Sequence, residues 1–437
     1  MNVELGFAAI AALMVLLALR MPIGLALAAV ALGGLYLTRG LNPALGAARA
    51  VPFEFIAHWT LSAVPMFILM GAIASHGGII GALYSSLRLW LGRLPGGLAI
   101  ATSFAGAGFA AISGSSLATT AALGRIAVPE MLAAGYNKGL ATGTASAVGT
   151  IGALIPPSII MVIYANFAEV SAGRMLIAGL IPGLITAGMY ALLVYIRCSL
   201  DPHLAPVIDL SSVTFSERVR SLGPVWPVPL IAFGIVGIIY GGLATATEAA
   251  AVGVILTMLV VASQRRLTKG GLFGSLVETV TTTSSIFLIA IGAALMTQFL
   301  AFTGMPAYLS NLVSTVTDSH VGIMIIFCIV YLVLGSFLDP LGVMLLTLPI
   351  ILPVLGHMGI DPIWSGVILV KMLEIGLLTP PVGLNCFVMK SAVGDRVSLG
   401  EILRGTSWFL LAEIVIMALL LGFPSLITWL PSLMVND

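Results

Sequence analysis

The chain has 437 residues, of which 59% are apolar and 8% charged, and its formal net charge is +1. Soluble domains carry about 25% charged residues, and apolar runs long enough to cross a bilayer recur here, so we predict a polytopic helical membrane protein. The near-neutral charge argues against a nucleic-acid partner. The wide spacing of the three cysteines argues against a metal site or a disulfide framework.

In chain order, the apolar pattern predicts an all-α fold built around an internal repeat. The first spans occupy residues 1–76, and a first repeat unit follows at 79–168. Further spans cover 174–300 around a polar loop at 198–223. The second repeat unit covers 306–393, and a last span lies within 407–437.

Each repeat unit contains an apolar stretch that is too long for one span. These stretches are 98–133 and 321–356, and each has a polar break in its middle, at 113–116 and 335–340. We interpret both as re-entrant helical hairpins whose tips lie inside the bilayer. Irregular backbone at that depth is tolerated only where it is buried in protein or lines a wet cavity.

A broken helix follows each hairpin, at 139–168 and at 363–393. The two repeat units match each other residue for residue at four places, each separated by the same number of residues. The matches are Pro129 with Pro353, Gly135 with Gly359, Ile151-Gly152 with Ile375-Gly376, and Pro156-Pro157 with Pro380-Pro381. Apolar segments interrupted by Gly and Pro at matching places in two halves indicate the binding site of a secondary transporter.

Charges at the hairpin bases predict that the two repeat units are inverted. Basic residues stand at the base of the first hairpin, namely Arg88, Arg93 and Lys138. The base of the second hairpin has none and carries Asp318, His320, His357 and Asp361. By the positive-inside rule the first hairpin opens to the cytoplasm and the second to the outside. Arg39 and Arg49 disagree with this rule, unless an interfacial helix at 39–52 holds them.

The two breaks predict sites for Na⁺. At the first break, hydroxyl and backbone oxygens come from Ser113, Ser116, Gly149, Thr150 and Gly152. At the second, the corresponding set is Gly335, Ser336, Asp339, Thr379 and Gly383. Such oxygens at half-helix ends suit Na⁺, and proline adds free carbonyls because it disturbs the helix ladder. The alternative is that Ser and Gly serve tight helix packing.

Charged residues inside apolar segments are further candidates. Asp339 is an acid at an apparent membrane depth, which is costly and usually functional; alternatively it caps a helix or pairs with Lys371. Arg125 suits a substrate carboxylate, or an internal pair with Glu248 or Glu374. Lys371 and Glu374 lie one turn apart, so we expect them to pair with each other. Glu248 is expected to be a helix-start acid.

Several motifs resemble the large membrane subunit of TRAP transporters, the DctM type. The resemblance covers nearly the whole chain and is carried by the segments 109–116, 121–131, 149–158, 246–253, 337–340 and 378–385. It implies a tripartite system in the bacterial inner membrane. Its partners would be a soluble periplasmic binding protein of the DctP type and a separate small four-helix membrane subunit of the DctQ type.

The same resemblance implies Na⁺-coupled import of a carboxylate, such as a C4-dicarboxylate or a sugar acid. The hairpins and broken helices would move as an elevator against a scaffold formed by 1–76, 174–300 and 407–437. Two or more Na⁺ would bind at the tips, with the carboxylate between them near Ser115, Arg125 and Asn385.

Two other functions stay open from the residues. One is a stand-alone Na⁺- or H⁺-coupled organic-anion carrier that needs no binding protein, since Asp339, Glu248 and Glu374 can titrate. The other is an intramembrane enzyme that uses Asp339, Glu374 and histidines. The inverted repeat favours transport, and the chain shows no motif for catalysis or for ATP hydrolysis, so we expect no enzyme.

Overall fold

Helices account for the secondary structure of the described residues, as the all-α prediction requires. The computed structural model describes residues 3–207, 213–317 and 319–434, and these contain no strand. Asp318, part of 198–223 and the last three residues of 407–437 lie outside the described residues. The helices up to the end of the first repeat unit are α1 Val3–Ala18, α2 Ile23–Arg39, α3 Leu41–Ile56, α4 Ala63–His76, α5 Ile79–Leu91, α6 Gly97–Ser113, α7 Ser116–Ala133, α8 Lys138–Gly149 and α9 Ile159–Phe167.

The rest of the described chain is also helical. The helices between the repeat units are α10 Ala172–Ala178, α11 Leu180–Leu200, α12 Phe215–Ser221, α13 Pro227–Tyr240, α14 Ala246–Ser263 and α15 Lys269–Thr303. The second repeat unit and the C-terminal part contain α16 Met305–Val316, α17 His320–Gly335, α18 Pro340–His357, α19 Pro362–Gly376, α20 Leu384–Val393, α21 Leu399–Gly422 and α22 Ser425–Ser432.

Both hairpins and both broken helices occur where the sequence predicts them. The hairpin at 98–133 is α6 and α7, which contact each other and are joined by Gly114 and Ser115. The hairpin at 321–356 is α17 and α18. Each broken helix is a pair, α8 with α9 and α19 with α20, and a Pro-Pro pair lies in each break. The predicted interfacial helix at 39–52 corresponds to α3.

Two predicted spans have different ends in the structure. The last span of the predicted 174–300 region is α15, which ends at Thr303. The span predicted within 407–437 is two helices, α21 and α22, of which α21 begins at Leu399. The apolar stretch marks only the middle of each helix, whereas polar caps set its start. The Thr268 side chain accepts from the backbone N–H of Gly271 at the start of α15, and Ser398 and Glu401 form a capping box at the start of α21.

Helix length and composition agree with a membrane protein. Six helical segments of the described chain are long and apolar enough to cross a bilayer, and the bent pair Phe215–Val225 and Pro227–Tyr240 would be a seventh span. The hairpin arms α6 and α17 are apolar but shorter than a full span. This is the length that a helix ending part-way through the bilayer requires.

Candidate functional site

The two hairpin tips face one central cavity of about 470 Å³. Its walls come from both tips, from both broken helices and from the middle of α15. The lining residues include Gly114, Ser115, Ser116, Ala153, Ile159, Thr281, Thr282, Ser285, Asp339, Pro340, Glu374 and Leu377. Two hairpin tips that lie far apart in the sequence are therefore brought to one site.

The first tip packs directly on the break between α8 and α9. A Cβ added to Gly152 would lie 2.8 Å from the Ser115 carbonyl oxygen, and one added to Gly149 would lie 3.0 Å from the Ser116 carbonyl oxygen. Only glycine permits this approach of two backbones. Ser113 is buried and its hydroxyl is 3.1 Å from that of Thr119. The structure thus gathers most of the first predicted Na⁺ set around one turn.

The Thr150 side chain is oriented differently from the rest of that set. Its hydroxyl donates to the Ala147 carbonyl at 2.7 Å and lies 3.3 Å from the Tyr190 hydroxyl. Only its backbone therefore belongs to the turn beside the tip. Its side chain instead joins the break to α11.

The second tip packs on the break between α19 and α20 in the same way. A Cβ added to Gly376 would lie 2.8 Å from the Cα of Gly335. The Val382 N–H donates to the Ser336 carbonyl at 3.3 Å. The Ser336 and Thr379 hydroxyls donate to carbonyls of their own helices, at 2.8 Å each. The second tip and the second break are therefore also brought together, through backbone contacts of Gly335 and Ser336.

Asp339 caps a helix, which is one of the alternatives that its sequence context allowed. Its carboxylate accepts hydrogen bonds from the Leu341 N–H at 3.1 Å and the Gly342 N–H at 2.9 Å, so it caps α18. The same residue lines the central cavity. Its predicted pairing with Lys371 is wrong, because Lys371 forms its ion pair with Glu413 on α21.

The expected pair of Lys371 and Glu374 is also wrong. The Lys371 ammonium lies 2.6 Å from the Glu413 carboxylate, with both side chains buried. Glu374, one turn along α19, instead lines the cavity. It is 2% exposed, and its Oε2 atom has no hydrogen-bond partner among the described residues. The described lining of the cavity therefore includes two carboxylates, those of Glu374 and Asp339.

The three predicted substrate residues are not together. Ser115 lines the central cavity. Asn385 is buried, and its amide donates to the Ser146 carbonyl at 3.3 Å, which ties α20 to α8. Arg125 is exposed and lines another cavity, beside the C-terminal end of α20. Substrate contacts of Asn385 and Arg125 stay predictions.

Sequence reasoning missed one wall of the cavity. Thr281, Thr282 and Ser285 of α15 line it together with the tips. The signal was present, since Thr281-Thr282-Thr283-Ser284-Ser285 interrupts an apolar helix. Glu248, by contrast, is a helix-start acid as expected, because its carboxylate accepts from the Thr245 N–H at 2.8 Å in a capping box.

Comparison with known proteins identifies the family. The model of the family described as "Tripartite ATP-independent periplasmic transporter, DctM component" matches residues 10–426. The C4-dicarboxylate TRAP transporter large permease protein of Pseudomonas aeruginosa is 36% identical over 384 residues, which are 87% of this chain and 88% of that protein. The sialic acid TRAP transporter large permease protein of Vibrio cholerae is 31% identical over 414 residues, 94% of this chain and 95% of that one.

A solved structure shares the fold. The YdaH transporter of Alcanivorax borkumensis, whose topology is described as unusual, superposes with a TM-score of 0.65 and 14% identity, covering 88% of this chain and 90% of that one. The family match spans both hairpins, both broken helices and the cavity between them, and its members are transporter subunits rather than enzymes. This chain therefore belongs to the DctM family, the large membrane permease subunits of tripartite TRAP transporters.

Proposed function

We propose that this permease imports a carboxylate solute by Na⁺ symport with an elevator motion. The observation that carries the proposal is the single cavity between two matched hairpin tips. In secondary transporters with internal repeats, solute and coupling ions bind at the interface of the repeats, between broken helices. The partners would be a DctP-type periplasmic binding protein and a DctQ-type small subunit, and the location would be the bacterial inner membrane.

The oxygen atoms around the tips support Na⁺ as the coupling ion. Hydroxyl and carbonyl oxygens of Ser113, Ser116, Gly149 and Gly152 cluster at the first tip. The carboxyl groups of Asp339 and Glu374 add further oxygen atoms, and no Lys, Arg or His is among the described residues that line the cavity. Hard cations prefer oxygen ligands, so this surrounding favours a cation over an uncompensated anion.

Helix starts at the cavity support a carboxylate as the solute. The helices α7 and α9 both begin there, at Ser116 and Ile159. The first N–H groups of α18 are already bound by the Asp339 carboxylate. Unpaired N–H groups and the helix dipole stabilise negative charge at such ends. Bound Na⁺ would occupy the carboxyl oxygens and leave these N–H groups to hold the solute, with Ser115 beside it. The two relatives above are named for C4-dicarboxylate and for sialic acid, which supports a carboxylate without selecting one.

Uptake into proteoliposomes tests the proposal. The chain is reconstituted with its small subunit and cognate binding protein, and uptake of labelled succinate, a C4-dicarboxylate, is followed with and without an inward Na⁺ gradient. We expect uptake to need both the gradient and the binding protein. Ser116→Ala removes one predicted ligand, so we expect about a tenfold rise in the Na⁺ concentration for half-maximal uptake, which is about 1.4 kcal/mol.

A matched control is Ser407→Ala on α21, since Ser407 is exposed, lies outside the cavity and donates to the Arg404 carbonyl of its own helix. We expect it to leave Na⁺ activation unchanged. If Ser116→Ala leaves Na⁺ activation unchanged as well, Ser116 is not a ligand.

Uptake without the binding protein would instead establish a stand-alone carrier, and uptake driven by a proton gradient alone would establish H⁺ coupling. If the binding protein binds a different solute, that solute replaces succinate in the same uptake experiment.

A further inference from the structure

A second cavity, of about 650 Å³, lies where the two repeat units meet at their other end. It is bordered by α7 and by the C-terminal end of α20. These helices touch closely, since a Cβ added to Gly124 would lie 2.8 Å from the Ala392 Cβ. The lining residues are Arg125, Pro129, Ser391, Ala392, Val393, Gly394, Asp395 and Arg396. We call this the Arg125–Arg396 cavity.

Two guanidinium groups dominate its charge. Arg125 and Arg396 have no acidic partner within salt-bridge distance in the part of the chain that the structure describes. The acid in the lining, Asp395, is already paired with Lys390 at 3.4 Å. The Lys390 ammonium also donates to two backbone carbonyls beyond α20, those of Gly394 at 2.6 Å and Val397 at 3.2 Å. The cavity therefore offers two uncompensated cations beside a neutralised acid.

The depth of the cavity follows from helix length. Arg125 lies nine residues after Ser116, the start of α7 at the hairpin tip, which is about 14 Å along a helix. The helix α20, which is the second half of its broken helix, runs from Leu384 to Val393 and is of similar length. Half of the hydrocarbon core is about 15 Å thick. With the tips near the midplane, as in the proposed function, both arginines lie at headgroup level on the side where the first hairpin opens. The charge pattern assigns that side to the cytoplasm.

We propose that the Arg125–Arg396 cavity binds the phosphate of an anionic phospholipid. Guanidinium groups form paired hydrogen bonds with phosphate oxygens, and basic pockets between membrane helices on the cytoplasmic side bind anionic headgroups. The Ser391 hydroxyl is a further donor, and Pro129, Ala392 and Val393 offer apolar contacts to the glycerol and the upper acyl chain. Free phosphate shares this chemistry, but a cavity open at headgroup depth favours the lipid.

Lipid titration of the purified chain tests this site. The melting temperature is followed in detergent while phosphatidylglycerol, phosphatidylcholine or inorganic phosphate is added. We expect phosphatidylglycerol to stabilise the wild type at lower concentration than the other two. The double variant Arg125→Gln/Arg396→Gln should raise the phosphatidylglycerol concentration for half the effect by about tenfold or more, since two charge-assisted contacts are lost. A double variant Arg220→Gln/Arg265→Gln removes the same charge from exposed sites outside the cavity and should bind as the wild type.

Three results would overturn the proposal. An equal loss of phosphatidylglycerol binding in both double variants would mean a non-specific charge effect. Equal stabilisation by phosphatidylcholine would mean that the anionic headgroup is not recognised, and displacement of phosphatidylglycerol by inorganic phosphate at the same concentration would mean a site for soluble anions. If the double variant does not fold, Arg396→Lys is used instead, because it keeps the positive charge but loses the planar guanidinium group that forms paired hydrogen bonds. This variant must still weaken phosphatidylglycerol binding.

Discussion

At the scale of single residues, a buried ion pair lies outside the cavity and joins distant helices. Lys371 and Glu413 are 0% and 1% exposed and lie 2.6 Å apart. Lys371 also donates to the Thr186 hydroxyl at 3.1 Å, and the Tyr190 hydroxyl donates to the same carboxylate. These contacts join α19 to α21 and α11, and Thr150 extends them to the break after α8.

Removing one partner of this pair should cost more than removing both. Lys371→Met leaves the Glu413 carboxylate buried without its cation, and a single loss of this kind costs about 3–5 kcal/mol. The double variant Lys371→Met/Glu413→Gln leaves no unpaired charge, so we expect it to be more stable than Lys371→Met. Thermal unfolding in detergent measures the difference, and a double-mutant cycle gives the coupling.

The exposed pair of Arg88 and Glu130, at 2.7 Å, is the matched control. Its side chains are 42% and 37% exposed, so Glu130→Gln should cost only about 0–1 kcal/mol because water screens the pair. If Lys371→Met is no more harmful than Glu130→Gln, the buried pair does not stabilise the fold. If the double variant is as unstable as the sum of the singles, the two charges act independently.

At the scale of elements, the sequence was sufficient to predict where the hairpins and the broken helices lie in the chain. Gly, Pro and Ser mark breaks in a helix through their own backbone chemistry, which is local and visible in the chain. The internal repeat then placed both tips in matching positions. The structure confirms the helix ends around both breaks.

Contacts between distant elements were not predictable in the same way. Nothing in the sequence indicates that Lys371 meets Glu413, which lies on a different helix, instead of Glu374 one turn away. The direction in which a side chain leaves its helix decides such a contact, and helix rotation depends on neighbours that one sequence does not place. Arg125 illustrates this, because its position on the hairpin arm was known while the cavity that it lines was not.

The packing of α21 on α8 depends on glycine. A Cβ added to Gly405 would lie 2.5 Å from the Gly139 carbonyl carbon and 2.9 Å from its Cα. Backbone atoms cannot give way as a flexible side chain does, so Gly405→Ala must separate the two helices. We expect a cost of about 1–3 kcal/mol, the usual range for overpacking, measured as a lower melting temperature.

Gly400→Ala on the same helix is the control. Nothing lies within 4 Å of a Cβ at Gly400, which is exposed. Alanine has a better helix propensity than glycine by about 1 kcal/mol, so this variant should be neutral or slightly more stable. Equal destabilisation by both variants would mean that helix propensity or insertion, and not the α8 contact, is responsible.

At the scale of the whole molecule, two sets of helix contacts bear on which helices belong to the scaffold. The helices α2, α4, α14 and α15 pack on one another. The helix α11 packs on α6, and α21 packs on α8 and α11, so both lie against the hairpin and the broken helix of the first repeat unit. The sequence had assigned 174–300 and 407–437 to the scaffold. The buried pair of Lys371 and Glu413 and the glycine contact at Gly405 favour a different division, in which α11 and α21 move with the hairpins.

Cross-linking distinguishes these divisions. Gly342 on α18 lies against Ile23 on α2, and Gly183 on α11 lies against Ile155 in the first break. With the three buried native cysteines replaced, each pair is changed to cysteines and joined by a short bifunctional maleimide. An elevator must slide α18 past α2, so the Ile23→Cys/Gly342→Cys link should stop Na⁺-driven uptake. The Gly183→Cys/Ile155→Cys link should leave uptake intact, because both residues would travel in one body. Uptake blocked by the second link would return α11 to the scaffold, and uptake unaffected by the first would exclude a sliding motion at this contact.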